Sequence, residues 1–187
     1  LKVVVCVYLG CLLHAVFVYG AMLKFIGKYN PLAFFKNLLP AQLVAFSTCS
    51  SSATLPVNME CVQKMGVSKE ISSFVLPLGA TVNMDGTALY QGVCALFVAQ
   101  IYGIELTSAQ MMTIILTGTL ASIGTAGVPG AGLIMLTMVL QSVGLPLEGV
   151  ALVAGIDRAL DMPRTTVNVT GDAVVAYIIE KGEEDLA

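Results

Sequence analysis

Apolar runs alternate along this chain with short polar or glycine-rich breaks, and the lengths of the runs predict its elements. Residues 3–23 form an apolar run long enough, as a helix, to cross a hydrocarbon layer of roughly 30 Å. It ends in Lys24, Lys28 and the turn signal Asn30-Pro31. A second run, residues 32–48, leads into TCSSSATLP, and a further arm ends near Met65. That arm is roughly 13 residues, about 20 Å as a helix and too short to span. Two short arms meeting at a serine-rich tip predict a re-entrant hairpin, whose irregular backbone is tolerated at membrane depth where protein or water surrounds it. Residues 71–103 are apolar but broken by NMDGT. The alternation of Asn83, Asp85 and Thr87 with Met84 and Gly86 predicts an unwound turn, a simple helix kink being the competing reading. An arm over 107–121, the tip SIGTAGVPGAG and an arm to Val143 follow. The glycines and Pro129 of that tip exclude a continuous helix and predict a second hairpin.

The last run carries the chemistry. GIDRALDMPRTTVNVTGD places Asp157, Asp161, Arg164, Asn168 and Asp172 at helical steps of three and four, on one stripe. A charge at mid-bilayer costs roughly 2.5–3.5 kcal/mol on insertion scales, so this stripe needs an interior cavity, partners or ligands. A soluble amphipathic helix is excluded by the rest of the composition. The chain is 57% hydrophobic and 11% charged, whereas about a quarter of residues are charged in ordinary globular domains. It therefore reads as a multi-pass membrane protein with no separate soluble domain. The first residue is Leu and no signal pattern precedes the first run, which predicts a piece of a longer protein.

Smaller features narrow the class. The five cysteines show no CxxC spacing and read as buried thiols. His14 is the single histidine, so it predicts a packed or lipid-interface residue rather than a zinc ligand. A net charge of −3 argues against nucleic acid. Lys24, Lys28, Lys36, Lys64, Lys69 and Lys181 fall on one side if each hairpin returns to its starting face; Lys2 is the exception. By the positive-inside rule that side is cytoplasmic, and the two hairpins enter from opposite faces. The pairing of one hairpin and one interrupted helix occurs twice, the pattern of a transporter core with its site at mid-membrane.

Arg164 presents a guanidinium fork suited to a carboxylate. Asp161 can accept from an ammonium, and Asn168 can donate to a second carboxylate and lend its oxygen to a cation, which together describe an acidic amino acid. An internal Arg164–Asp161 ion pair that only fixes packing is the structural alternative. Asp85 and Asp172, with carbonyls beside them, suit a hard cation such as sodium; a proton carried on a buried carboxylate is the competing coupling ion.

The motifs SSSATLP, NMDGT, GTAGVPGAG and DMPRTTVNVTGD resemble, in order and spacing, those of the dicarboxylate/amino acid:cation symporter family, the glutamate transporters and their archaeal homologue. The resemblance implies an all-α membrane fold, the transport-domain core, with two re-entrant helical hairpins and an unwound transmembrane helix. It implies helix six at 1–27, hairpin one at 31–66, helix seven at 69–103, hairpin two at 107–145 and helix eight at 147–181, with the N-terminal scaffold helices outside this chain. It further implies substrate contacts at Ser51, Thr87, Val128, Gly132, Asp161, Arg164, Thr165 and Asn168. Sodium is implied at Gly79, Thr81, Asn83, Asp85, Ser122, Ile123, Thr125, Asn168 and Asp172. No resident cofactor is expected, and the implied setting is the cell (inner) membrane, the full-length parent being a homotrimer. Two departures stand out. Relatives carry an arginine just before the serine tip or beside the Asp of helix eight, and here Cys49 and Met162 occupy those places; Arg158, one turn away, is a candidate substitute. Pro163 is expected to bend helix eight.

The reading is a secondary active symporter for glutamate or aspartate, not an enzyme. A C4-dicarboxylate:cation symporter is the near alternative and an ion channel with broken pore-lining helices the distant one. An intramembrane hydrolase using Ser51 needs a positioned base, for which His14 is the single imidazole.

Overall fold

The computed structural model describes residues 1–184, Glu184 by its backbone alone; the end of the acidic tail, 185–187, lies outside the described residues. The described residues are helical, with no strand among them. α1 spans Lys2–Ile26, with π-type turns over His14–Tyr19 and Met22–Ile26. α2 (Pro31–Thr48) and α3 (Ser51–Lys64) form a first pair, and α6 (Ser108–Ser122) and α7 (Ala131–Ser142) a second. Between them lie α4 (Lys69–Val82) and α5 (Asp85–Ile101), separated where Asn83 and Met84 leave helical geometry. Residues 147–181 make two helices rather than one: α8 (Gly149–Ala154) and α9 (Asp157–Glu184).

Local chemistry accounts for the boundaries. Asn30 accepts from the Leu32 amide at 3.0 Å with Pro31 at the first helical position, so α2 starts with a side-chain cap and a preset φ. α2 ends in a left-handed residue, Cys49 at φ 55°, whose amide bonds to the Ala45 carbonyl. Ser50 is extended and caps α3 by accepting from the Ala53 amide at 3.1 Å. Thr107 and Gln110 close a reciprocal capping box on α6. At the other end of the molecule the Glu180 carboxylate accepts from the Ser68 amide at 2.6 Å, fixing the end of α9 to the start of α4.

α9 is the axis. It packs against α1, α2, α3, α4, α5 and α8, while the α6/α7 pair leans on α5. Its polar stripe faces inward: Asp157, Asp161, Arg164, Asn168 and Asp172 are all buried. Large apolar side chains face outward, including Phe17, Phe25, Leu32, Phe74, Leu120 and Ile134, each more than two-thirds exposed. Charges inside and hydrocarbon outside is the arrangement a bilayer solvent demands and water penalises. By itself α1 is long and apolar enough to cross a membrane. The four in-helix prolines, Pro40, Pro56, Pro77 and Pro163, each remove a backbone donor. α9 continues through Pro163.

One glycine lets α5 reach α9. A Cβ at Gly86 would collide with the main chain of Arg164, its carbonyl and Cα included, whereas a Cβ at Gly92 would meet nothing within 4 Å. Gly86→Ala should therefore destabilise the fold by about 1–3 kcal/mol through overpacking. Gly92→Ala should be neutral or stabilising, by up to about 1 kcal/mol of helix propensity. Thermal unfolding of the detergent-purified variants checks this: the packing assignment is wrong if both shift the midpoint alike.

Candidate functional site

The two connecting tips, residues 49–50 between α2 and α3 and 123–130 between α6 and α7, meet over α9. Ser50 Oγ donates to the Gly127 carbonyl at 2.7 Å, and the Ser52 amide donates to the same oxygen at 3.1 Å. Gly127 is tight there: a Cβ would press on Ser52 Oγ, the Ala80 carbonyl and the Ser51 side chain. The second tip is also tied to α4, the Gly124 amide donating to the Thr81 carbonyl at 2.7 Å. Its far end is tied to α9, where the Gly130 amide donates to Asp161 Oδ2 at 3.0 Å.

Beneath the tips lies a cavity of about 10 Å³, lined by both tips, the start of α5 and the middle of α9. Ser51, Thr87, Val128, Gly132, Asp161, Arg164, Thr165 and Asn168, the residues at which the family resemblance implies substrate contacts, all line it. That volume holds about one water. Nothing the size of an amino acid fits in it with the tips in this position.

Arg164 is 2% exposed. Its Nη2 and Nε sit 2.8 and 3.1 Å from Asp161 Oδ1, and its Nη1 lies 4.0 Å from Asp157 Oδ1. The guanidinium carbon stacks 4.4 Å from the centre of the Tyr90 ring, a cation–π contact made in a dry setting. Tyr90 in turn donates to Asp157 Oδ1 at 3.0 Å, and Thr165 donates to Asp161 Oδ1 at 2.8 Å. The internal Arg164–Asp161 pair raised from sequence is thus formed. It leaves Nη1 buried without a hydrogen-bond acceptor, pressed against Gly132, where a Cβ could not fit. A buried charged donor without a hydrogen bond is costly, and Arg164 is one of the residues that line the cavity.

One turn on, Asn168 accepts the Gly86 amide at 2.8 Å on Oδ1, and its Nδ2 donates to Thr87 Oγ1 at 3.1 Å and approaches Met84 Sδ at 3.1 Å. Asn83, in the break between α4 and α5, donates to Asp172 Oδ1 at 2.9 Å. Gly79 faces that carboxylate, leaving no room for a Cβ. The same Asn83 Nδ2 reaches the Asn168 carbonyl at 3.4 Å, so two oxygens, from Asp172 and Asn168, converge on one amide nitrogen there.

The implied cation residues do not all converge. Thr125 and Asn168 line the cavity, and Asn83, Gly79 and Asp172 gather one turn below. Thr81 is on the rim with Gly124. Ser122 and Thr125 are buried and bond by their hydroxyls to the Thr119 and Ala121 carbonyls, while Ile123 is half exposed. Asp85 turns to α1, where Tyr19 donates to its Oδ2 at 2.8 Å and His14 Nε2 lies 3.2 Å from the same oxygen. His14, read from sequence as a packing or interface residue, is an acid's partner instead, set edge-on against the Tyr19 ring.

Sequence reasoning missed Tyr90, Tyr19 and Gln91. Gln91 is fully buried with both amide atoms unpartnered. Tyr90 follows Thr87 by three residues, so its place on the cavity side of α5 was readable; Tyr19 sits in an unmarked apolar run and carried no signal.

Residues 1–182 match the Sodium:dicarboxylate symporter family. The chain is 48% identical over 176 residues to Excitatory amino acid transporter 5 of Homo sapiens, covering 94% of this chain and 31% of that protein. It is 48% identical over 177 residues to Excitatory amino acid transporter 1 of Homo sapiens, covering 94% and 33%. It is 50% identical over 153 residues to an Excitatory amino acid transporter of Caenorhabditis elegans, covering 81% and 30%. The chain thus spans about a third of the length of the curated relatives it matches. Those relatives are transporters, not enzymes.

The ion-pair geometry makes a stability prediction. Asp161→Ala strips Arg164, Thr165 and the Gly130 amide of their shared acceptor and leaves a buried cation short of its charge partner, at a cost of about 3–5 kcal/mol. Thermal unfolding in detergent reads this directly, and a loss below 1 kcal/mol would show Arg164 to be held by other groups.

Proposed function

The chain belongs to the Sodium:dicarboxylate symporter family, and from that premise we propose that it is the transport-domain core of a symporter that couples uptake of an acidic amino acid to sodium. The observation that carries this reading is Arg164 itself, which lines the cavity between the two tips and holds a buried Nη1 without a hydrogen-bond acceptor. A side-chain carboxylate brought to that nitrogen gains a charge-assisted bond and removes the cost of an orphaned donor. Asp161 takes the substrate ammonium, exchanging part of its hold on Arg164, and Thr165 and Asn168 orient the remaining polar groups. An ammonium acceptor beside the arginine favours an amino acid over a plain C4-dicarboxylate.

Sodium is the co-substrate. Asp172, Asn83 and the main chain around Gly79 and Asn168 receive one ion, while Asp85 serves a separate position beside α1. Charge supplies the coupling: an inward negative potential contributes about 2.3 kcal/mol per elementary charge per 100 mV, and each tenfold gradient of substrate costs about 1.4 kcal/mol. More than one cation per anion therefore concentrates substrate.

In the bilayer α2/α3 and α6/α7 are re-entrant hairpins entering from opposite faces, and the α4/α5 break is an unwound membrane segment. Access alternates as one tip or the other leaves the cavity. The protein is multi-pass, lies in the cell membrane, and works as a homotrimer in its full-length form.

Uptake of labelled aspartate into proteoliposomes holding the full-length protein tests this, with sodium and proton gradients imposed separately. Saturable uptake driven by sodium is expected, with weak competition by succinate. Arg164→Cys should cost about 2–5 kcal/mol of binding, more than tenfold in apparent affinity. Acidic uptake that survives this change undamaged would remove Arg164 from the substrate site.

A further inference from the structure

We infer that Arg158 is a positioning residue: it latches the first hairpin tip to the start of α9 and sets how often that tip parts from the cavity. The last carbonyls of a helix have no partner within it. At the end of α2 one of them, that of Ser47, accepts from Arg158 Nη2 at 2.9 Å. A guanidinium suits this place, since the C-terminal end of a helix carries partial negative charge.

Residue 158 grips the tip a second time. Its own carbonyl lies 4.0 Å from Cys49 Sγ, which also faces the Phe46 carbonyl at 3.8 Å. Cys49 is the left-handed residue of the tip, a conformation that glycine adopts freely and a residue with a Cβ adopts only where its surroundings hold it. The side chain and carbonyl of residue 158 form part of that hold.

The two tips dock on α9 in different settings. The second bonds through Gly130 to Asp161, which is buried, whereas the first bonds through Arg158, which is exposed. Water can replace the Arg158 bond as it breaks, so this tie releases readily and the dry one does not. Cys49 is 1% exposed and lines the cavity. Its thiol becomes reachable when either tip leaves the cavity, so a change in its labelling caused by substitution at Arg158 alone, whose bond is to the first tip, reports the latch. The inference rests on the transport reading solely for what tip opening accomplishes.

The test follows alkylation of the full-length protein by iodoacetamide, mapped cysteine by cysteine with peptide mass spectrometry. Added glutathione reports reagent activity, and buried Cys11, Cys61 and Cys94 report the fold. Arg158→Ala should raise the Cys49 rate about two- to tenfold, the range of one exposed hydrogen bond, with the three buried references unchanged. Arg158→Lys, which keeps a cationic donor, should give an intermediate rate. An unchanged Cys49 rate overturns the latch, and so does acceleration of all four buried thiols together, which marks a general packing role. Faster Cys49 labelling in a protein that takes up no acidic amino acid would leave the latch standing and refute the transport assignment.

Discussion

A buried guanidinium governs this structure. Arg164 lies almost wholly out of contact with solvent, and an isolated charge in such a place is not tolerated. Its neighbours are arranged accordingly: Asp161 at ion-pair distance, Asp157 farther off, and the face of Tyr90 above it. Each of these is held in turn, Asp161 by Thr165 and the second tip, Asp157 by the Tyr90 hydroxyl. The charge thereby recruits α5, α9 and the α6/α7 tip to one point, and the same point carries its one unsatisfied donor. Stability and the proposed recognition draw on the same atoms.

A largely apolar outer surface over a core that is itself mostly apolar follows from the solvent. In hydrocarbon, apolar side chains gain little from packing inward, so α1, α2 and α6 can carry Phe, Leu and Ile on their outer faces. What must be hidden is polar, and α9 hides it. Close approach is then achieved with small residues: Gly86 admits the main chain of Arg164, and Gly132 admits its guanidinium. Small residues at helix contacts are the usual means of bringing backbones together where no hydrophobic force drives them.

The helical class and the inward stripe of α9 were legible because both rest on periodicity and on the cost of burying charge, which sequence reveals directly. The cavity set was legible through its motifs, since Ser51, Thr87, Gly132 and Arg164 stand in short, recognisable strings. Partners contributed by distant, featureless stretches were not. Tyr19 and His14 meet Asp85 from α1, across a separation that spacing cannot bridge. Nor did the pattern show the turn at 155–156 that starts α9 at Asp157, because Gly155 there resembles any glycine inside an apolar helix. The split among the implied cation residues has the same origin: a motif fixes which residues are near in sequence, while side-chain direction is decided by the neighbour each one finds.

The Gly127 carbonyl receives both the Ser50 hydroxyl and the Ser52 amide. Because one oxygen joins two donors of the first tip to the second, withdrawal of either loop strips both bonds in a single event. A carbonyl oxygen has two lone pairs, and here one tip's two donors occupy both, so the position of a single oxygen sets the length of both bonds.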